Sequence, residues 1–325
     1  MSQDKTVASV IEAFEKFDTF YILGHEEPDA DCLGSQRALG SWLGRHRRDA
    51  KIHLCSAGPW GRPEIADWQP LFVNRLPSPE EGSSPLVIIM DCSSFDRTGF
   101  AESAIPDAPV MVIDHHAAGS DFGDIRYIDP LSPSTTLMVQ RLIEDSGDTP
   151  TVEEAEVLFL GFCTDTGYFR HVEPGRSEPL EAVARLVAAG ASPGDTFRLL
   201  AGGRSLGSRK LLGRVLERAE LFFGGRLVLS WETWKDWREL GSERDSDMLY
   251  QLMLSIAGIE AAVIVREQND GFCVVGLRSI TNLDVGDIAR FFGGGGHKKA
   301  AGCTVSGDLD DVIEHVLQVF ADRLD

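Results

Sequence analysis

Apolar residues along this chain fall into two patterns. The first is the short, nearly unbroken run. Thr19–Leu23, Ile52–Cys55, Leu86–Met90 and Val110–Ile113 are runs of this kind, bounded by polar or turn-forming residues. Runs of that length and β-rich composition predict strands buried on both faces. The second pattern has helical spacing. It covers residues 6–17 through Val7, Val10, Ile11 and Phe14, and Leu33–Arg48 through Leu33, Ala38, Leu39, Trp42 and Leu43. Pro133–Glu144, Val152–Phe162 and Ser177–Ala189 read as further helices, the last ended by Gly190 as a C-cap. Strands alternating with helices predict an α/β fold: a parallel sheet with right-handed crossovers and helices on both faces. Side chains just beyond the carboxyl ends of such strands are where function collects.

The pattern changes after residue 190. Ala191-Ser192-Pro193-Gly194 breaks it, and a charged helical stretch runs from Ser205 to Leu221. Gly224-Gly225 then opens a second set of elements. Arg226–Trp231, Ala261–Arg266, Phe272–Leu277 and a segment near Gly302–Val305 read as strands. Ser246–Ala257, Asp284–Phe292 and a closing stretch to Phe320 read as helices. Asp284 and Asp287 suit the positive end of their helix. The expected organisation is a first domain over 1–190, a helical connector over 191–221, and a smaller α/β domain with a mixed sheet over 222–325. The Pro-, Gly- and Ser-rich stretch 58–85 reads mostly as loop.

Composition narrows the function. A length of 325 residues, 43% hydrophobic and 25% charged, suits two globular domains. A net charge of -20 argues against a long duplex as partner, because duplex affinity rests on cationic contacts to phosphates. A small anionic substrate stays compatible if positive charge is concentrated locally. The six Cys form no CxxC pair, which suits a reduced, cytoplasmic protein. The first residues lack a basic region followed by an apolar core, and no apolar run nears the ~20 residues that span a bilayer. No membrane association is expected.

The candidate chemistry lies where apolar runs stop. His25, Asp29 and Asp31 fall within seven residues after Leu23; Asp91 follows Met90; Asp114-His115-His116 ends the run from Val110; Asp165 follows Val157–Cys163. Taken singly, an Asp after a strand is commonly a loop residue or helix N-cap, and a single His is commonly structural. Occurring together at the ends of apolar runs, all read as strand ends, they predict convergence on one two-metal hydrolytic centre. Carboxylates suit Mn²⁺ and Mg²⁺, and imidazole suits Mn²⁺ better. Two such ions share a water whose proton they weaken. Cys32 and Cys92 read as packing residues. Gly293–Gly296 with His297, Lys298 and Lys299 reads as an anion cradle, or alternatively as a flexible turn. Arg278 taken alone reads equally well as a salt-bridge residue.

These residues resemble a known family, the DHH phosphoesterases. The matching motifs are His25-Glu26-Glu27-Pro28-Asp29-Ala30-Asp31-Cys32-Leu33-Gly34-Ser35, then Met90-Asp91-Cys92-Ser93, Asp114-His115-His116, and Gly161-Phe162-Cys163-Thr164-Asp165-Thr166-Gly167-Tyr168-Phe169-Arg170. Leu277-Arg278-Ser279 and Gly293 through Gly302 resemble the DHH-associated domain. Within the family the chain looks most like the nanoRNase and pAp-phosphatase branch. Two features depart from it: Gly276 stands where many relatives carry Ser, and Cys32 replaces a small or aliphatic residue. The resemblance implies two Mn²⁺, with Mg²⁺ or Co²⁺ as alternatives. His25, Asp29 and Asp91 would hold one ion; Asp31, Asp91, His115 and Asp165 would hold the other, with Asp91 between them. Asp91 and His116 would be the catalytic pair, His116 facing the substrate phosphate. Arg278, Ser279, Gly295, Gly296 and His297 would bind the rest of the substrate.

The function so implied is hydrolysis of short oligoribonucleotides to mononucleotides, or of pAp to AMP, by a hydroxide bridging the metals. A short RNA or nucleotide is the expected partner, and a homodimer is compatible with it. Alternatives are a linear or cyclic dinucleotide phosphodiesterase, a RecJ-type single-strand exonuclease, an inorganic pyrophosphatase and a non-catalytic nucleotide sensor.

Overall fold

The chain separates into two units, Met1–Gly202 and Gly203–Asp325. The computed structural model describes residues 6–92, 94–116, 122–241, 243–269 and 271–324. The first unit runs α1 (Val7–Phe14), β1 (Thr19–Leu23), α2 (Ala30–His46), β2 (Lys51–Cys55), β3 (Pro85–Met90), β4 (Val110–Asp114), β5 (Ile125–Ile128), α3 (Thr135–Asp145), α4 (Val152–Asp165), α5 (Glu178–Ala189) and α6 (Pro193–Ala201). Its five strands are all parallel, in the order β2-β1-β3-β4-β5. Both faces of the central strands are buried, which is why they read as continuous apolar runs. β5 carries no such run: only Tyr127 is buried, as suits the strand at the sheet edge.

The two faces of this sheet are covered differently. Phe20, Ile22, Leu86, Ile88 and Met90 join the large core built with α1 to α5. Tyr21, Leu23, Val87 and Ile89 face the other way, against Leu76, Phe95, Phe100, Ile105 and Phe122. The helical segments in the connections after β2 and β3 are 3-10 turns, at Pro63–Leu71, Phe95–Thr98 and Glu102–Ala104. Pro63 sits at the first position of the Pro63–Leu71 segment, where proline is tolerated, while Pro70 inside it has no amide to donate and limits regular helix there.

The second unit runs α7 (Leu206–Glu217), β6 (Glu220–Phe222), β7 (Leu227–Glu232), α8 (Trp234–Leu240), α9 (Ser246–Leu254), β8 (Ala261–Glu267), β9 (Phe272–Ser279), α10 (Val285–Phe291), β10 (Gly295–His297), β11 (Ala300–Ser306) and α11 (Leu309–Leu324). Its mixed sheet has the order β10-β11-β9-β8-β7-β6, and only β7 and β8 are parallel. α10 and α11 pack on one face through Val285, Ile288, Val312, Val316 and Phe320. α7 and α9 pack on the other through Leu211, Val215, Leu249, Tyr250 and Met253, over Val228, Ala262 and Ile264.

The stretch 191–221 is divided between the units. Ser192 caps α6, with Pro193 at its first turn, and α6 packs with the first unit; α7 belongs to the second. No described helix is long and apolar enough to cross a membrane.

Candidate metal centre and substrate face

Strand register places the first set of candidates in a row. Leu23 pairs with Ile89 and Met90 with Ile113, so continuing both pairings sets His25, Asp91 and Asp114 side by side on three adjacent strands. Asp91 turns away from β3 with φ of 54°, a left-handed conformation that Asp tolerates better than most residues. Asp29 is the N-cap of α2, its carboxylate accepting from the Cys32 amide at 3.0 Å. Capping therefore begins the helix three residues earlier than the apolar spacing suggested, and Asp31 falls inside its first turn.

Asp91 is the hub. Its Oδ2 lies 3.5 Å from His25 Nε2 and its Oδ1 lies 3.4 Å from His115 Nε2. His25 Nε2 is 3.9 Å from Asp29 Oδ1, and His115 Nε2 is 3.2 Å from Asp165 Oδ2. Asp31, His115 and Asp165 form a cluster of metal-ligand spacing, and so do Asp91, His115 and His116. Asp165 is the last residue of α4, so it stands at a helix end and not at the strand end read from the sequence. Helix α4 packs closely on α2, which brings that terminus to the strand ends. Cys32, read as a packing residue, is buried within reach of His25 and Asp91.

Several residues missed in the sequence hold these groups in place. Asp114 Oδ1 accepts from both the His116 amide, at 3.1 Å, and His116 Nδ1, at 2.7 Å. This fixes the ring and leaves Nε2 as its outward nitrogen. His115 Nδ1 lies 3.2 Å from the Ser132 carbonyl. Asp31 is buried and accepts from the amides of Thr135 at 2.7 Å and Thr136 at 2.9 Å, and from the Thr136 hydroxyl at 2.5 Å. The Thr135 hydroxyl donates to Asp91 Oδ1 at 3.0 Å. The first turn of α3 thus anchors two of the carboxylates. A signal was present: Ser134 caps α3, and Thr135 and Thr136 open it just ahead of the apolar run Leu137–Val139.

The electrostatics describe a site crowded with negative charge. Burial, then repulsion from Asp91 and Asp165, pushes the Asp31 carboxyl well above the usual carboxylate range. Burial and the charge of Asp91 push Asp165 up to about 7. Burial alone would also raise Asp91, yet hydrogen bonds from His115 and His25 hold it low. Burial opposes the charged imidazoles, but bonds to Asp29 and Asp91 raise His25, and Asp91, Asp31 and Asp165 raise His115 to about 10. Protons on the imidazoles do here what cations do better. A buried set of carboxylate oxygens and imidazole nitrogens that repel one another when ionised fits hard or borderline divalent ions.

In the second unit, Arg278 pairs with Ala300, and Ala300 pairs with His297. Directly paired residues share a sheet face, so Arg278 and His297 point to the same side, two strands apart. Gly276, Ala300 and Gly302 lie on that face as well, which keeps it low. The last two glycines of the run open the edge strand β10, where both are exposed. A Cβ on Gly296 would meet Ala300 O at 2.6 Å, and its φ is 138°. Ser279, expected beside Arg278, is instead buried on the opposite face, its hydroxyl accepting from the Thr281 amide. The two-residue period of a strand forbids neighbours from sharing a face.

Comparison with known proteins agrees. Residues 19–162 match the model of the DHH family, N-terminal domain, and residues 238–323 match that of the DHHA1 domain. A Thermus thermophilus protein called bifunctional oligoribonuclease and PAP phosphatase NrnA is 33% identical over 98% of this chain and 94% of its own length. The Bacillus subtilis protein of that name is 25% identical over 91% of this chain and 92% of its own. A crystal structure of an exopolyphosphatase-related protein from Bacteroides fragilis superposes with a TM-score of 0.75 at 23% identity, over 98% of this chain and 95% of that one, which bears on the fold. With both family domains in place and full-length similarity to the Thermus protein, the chain belongs to the DHH family and is a phosphoesterase of that family.

Proposed function

We propose that this phosphoesterase hydrolyses short oligoribonucleotides to mononucleotides and pAp to AMP, using two Mn²⁺ ions. The carrying observation is the placement of Asp91: a buried carboxylate with one oxygen toward His25 and the other toward His115. A carboxylate presented in that way could serve a cation on each side. His25 and Asp29 would complete the ligands on one side, and Asp31, His115 and Asp165 those on the other. The ions, when bound, supply Lewis-acid charge and acidify the attacking water. The chain's own residues do the rest. Thr135 and Thr136 hold the carboxylates of Asp91 and Asp31 in place. Asp114 pins the His116 ring through Nδ1, which leaves Nε2 as the nitrogen to face a phosphoryl oxygen. Arg278 and His297, with the backbone of Gly295 and Gly296, receive a phosphate remote from the one attacked.

The resemblance to the Thermus and Bacillus proteins called oligoribonuclease and PAP phosphatase supports these substrates. The test is a turnover panel with Mn²⁺: RNAs from two to ten nucleotides, pAp, linear and cyclic dinucleotides, and pyrophosphate. Turnover is expected to be highest on RNAs of a few nucleotides and on pAp. Preference for pyrophosphate, for a cyclic dinucleotide or for the longest RNA would replace this reading. Asp91→Ala is expected to abolish turnover with the fold retained; residual activity near wild type would remove the two-ion centre.

A further inference from the structure

The arginines of the second unit are mostly neutralised. Arg209, Arg214, Arg218, Arg226 and Arg244 each form an ion pair with a carboxylate. Arg278 does not, among the described residues. Its one hydrogen bond is from Nη1 to its own strand's Leu277 carbonyl, at 3.0 Å. What holds it is Tyr250 of α9: the guanidinium carbon lies 4.7 Å from the tyrosine ring centroid. The same ring reaches along β9 to Gly276, where a Cβ would stand 2.2 Å from the tyrosine hydroxyl. Tyr250 is buried, with its hydroxyl beside the Arg266 guanidinium. So the tyrosine lies flat under Arg278, and Gly276 is the residue that makes room for it.

The choice of an aromatic support has a chemical consequence. A carboxylate would fix the guanidinium but cancel its charge and occupy its donors. A ring face fixes it while leaving both available, and a guanidinium stacks well on such a face. We propose that Tyr250 is the positioning residue for Arg278: it orients an uncompensated guanidinium to receive the anionic group of the substrate remote from the bond cleaved. This rests on the substrate-binding role given to Arg278 above.

The test uses the full-length protein with Mn²⁺ and two substrates, a 5′-phosphorylated RNA dinucleotide and bis(p-nitrophenyl) phosphate, which lacks the remote phosphate. Tyr250→Leu is expected to raise KM for the dinucleotide about 5- to 30-fold more than for the generic diester, the range a cation–π contact supports, with little change in kcat. Tyr250→Phe, which keeps the ring, should return KM to near wild type. In an Arg278→Ala background, Tyr250→Leu should add nothing. Equal effects on both substrates, or a penalty that adds in full to Arg278→Ala, would overturn the proposal. If Arg278→Ala itself leaves KM unchanged, the role given to Arg278 fails and the inference goes with it. If Arg278→Ala raises KM and Tyr250→Leu does not, only the inference fails. Should Tyr250→Leu not fold, Gly276→Ala carries the test. Its methyl displaces the ring through the hydroxyl, so KM should rise, and adding Tyr250→Phe should reverse the rise; no rise would refute the positioning role.

Discussion

Gly161→Ala is the most direct test of how the metal centre is built. Gly161 lies in α4 at the point where α2 and α3 also meet. A Cβ there would stand 2.5 Å from Thr136 Cγ2, 2.9 Å from the Ala30 carbonyl oxygen and 2.9 Å from Asp31 Cα. Two of these are backbone atoms of the first turn of α2, so no rotamer change relieves them. Carbon atoms rest at about 3.5 Å or more, so α2 and α4 must separate by roughly 0.6 Å or strain by an equivalent amount. The third contact is the methyl of Thr136, whose hydroxyl and amide hold Asp31. One methyl therefore pushes on a ligand and on the group that anchors it. Overpacking of this kind costs about 1–3 kcal/mol, and disturbing a residue that orients a ligand weakens metal binding about 10- to 100-fold. Urea denaturation of the metal-free protein and Mn²⁺ titration by calorimetry read the two effects. Gly213→Ala is the control: it lies in α7 with nothing within 4 Å of the added methyl, and should stabilise by about 0.5–1 kcal/mol. If Gly161→Ala keeps the wild-type midpoint and Mn²⁺ affinity, the close approach of α2 and α4 does not set the site.

Three further outcomes follow from the same contacts. Thr135→Val removes the hydroxyl that donates to Asp91 and should lower Mn²⁺ affinity about tenfold, with Thr135→Ser close to wild type; identical titrations for all three would refute that role. Chelation should lower the melting temperature, because ions relieve the repulsion that raises Asp31 and Asp165; Mn²⁺ at a hundred times its Kd should restore about 2.7 kcal/mol for each ion bound, and a melting curve indifferent to EDTA would contradict this. Buried Asp236 completes the capping box of α8, accepting from the amide of the N-cap Thr233, and also accepts from Arg214 and Arg218. Burial alone would raise its carboxyl, but Arg218, Arg214 and Thr233 hold it far below its ordinary value of 3.8. A depressed folded pKa contributes stability that is present above the unfolded value and lost as pH falls through the folded one, so the second unit should weaken below about pH 4. Asp236→Asn should cost roughly 2–4 kcal/mol and flatten that acid dependence. The figure is less than for a fully buried pair because Arg214 and Arg218 are 35% and 25% exposed. An unchanged acid limb in guanidinium denaturation would show that Asp236 is not its source.

Much of this protein was determined by sequence alone. β1, β3 and β4 are apolar on both faces, so their extents followed from composition, and the order of ligand segments followed from where those runs stopped. His25, Asp91 and Asp114 stand in a row because parallel register carries each strand end to the same level. What sequence could not decide was anything set by contact between distant segments. β5 has one buried residue and no pattern to read. Asp165 reaches the site from a helix because α4 packs on α2; the spacing over Val152–Phe162 showed the helix, but not what its end would meet. Thr135 and Thr136 look like ordinary capping residues until α3 sets them against Asp31 and Asp91, more than forty residues away in the chain. Ser279 was lost to the opposite face by the pleat of β9. Arg278 could equally have been a salt-bridge residue; among the described residues the tertiary fold puts an aromatic ring, and no carboxylate, beside it. Local patterns fix how each segment satisfies its own backbone and buries its own apolar side chains. Which polar groups meet, and hence which charges are left available for a substrate, is settled only when those segments pack together.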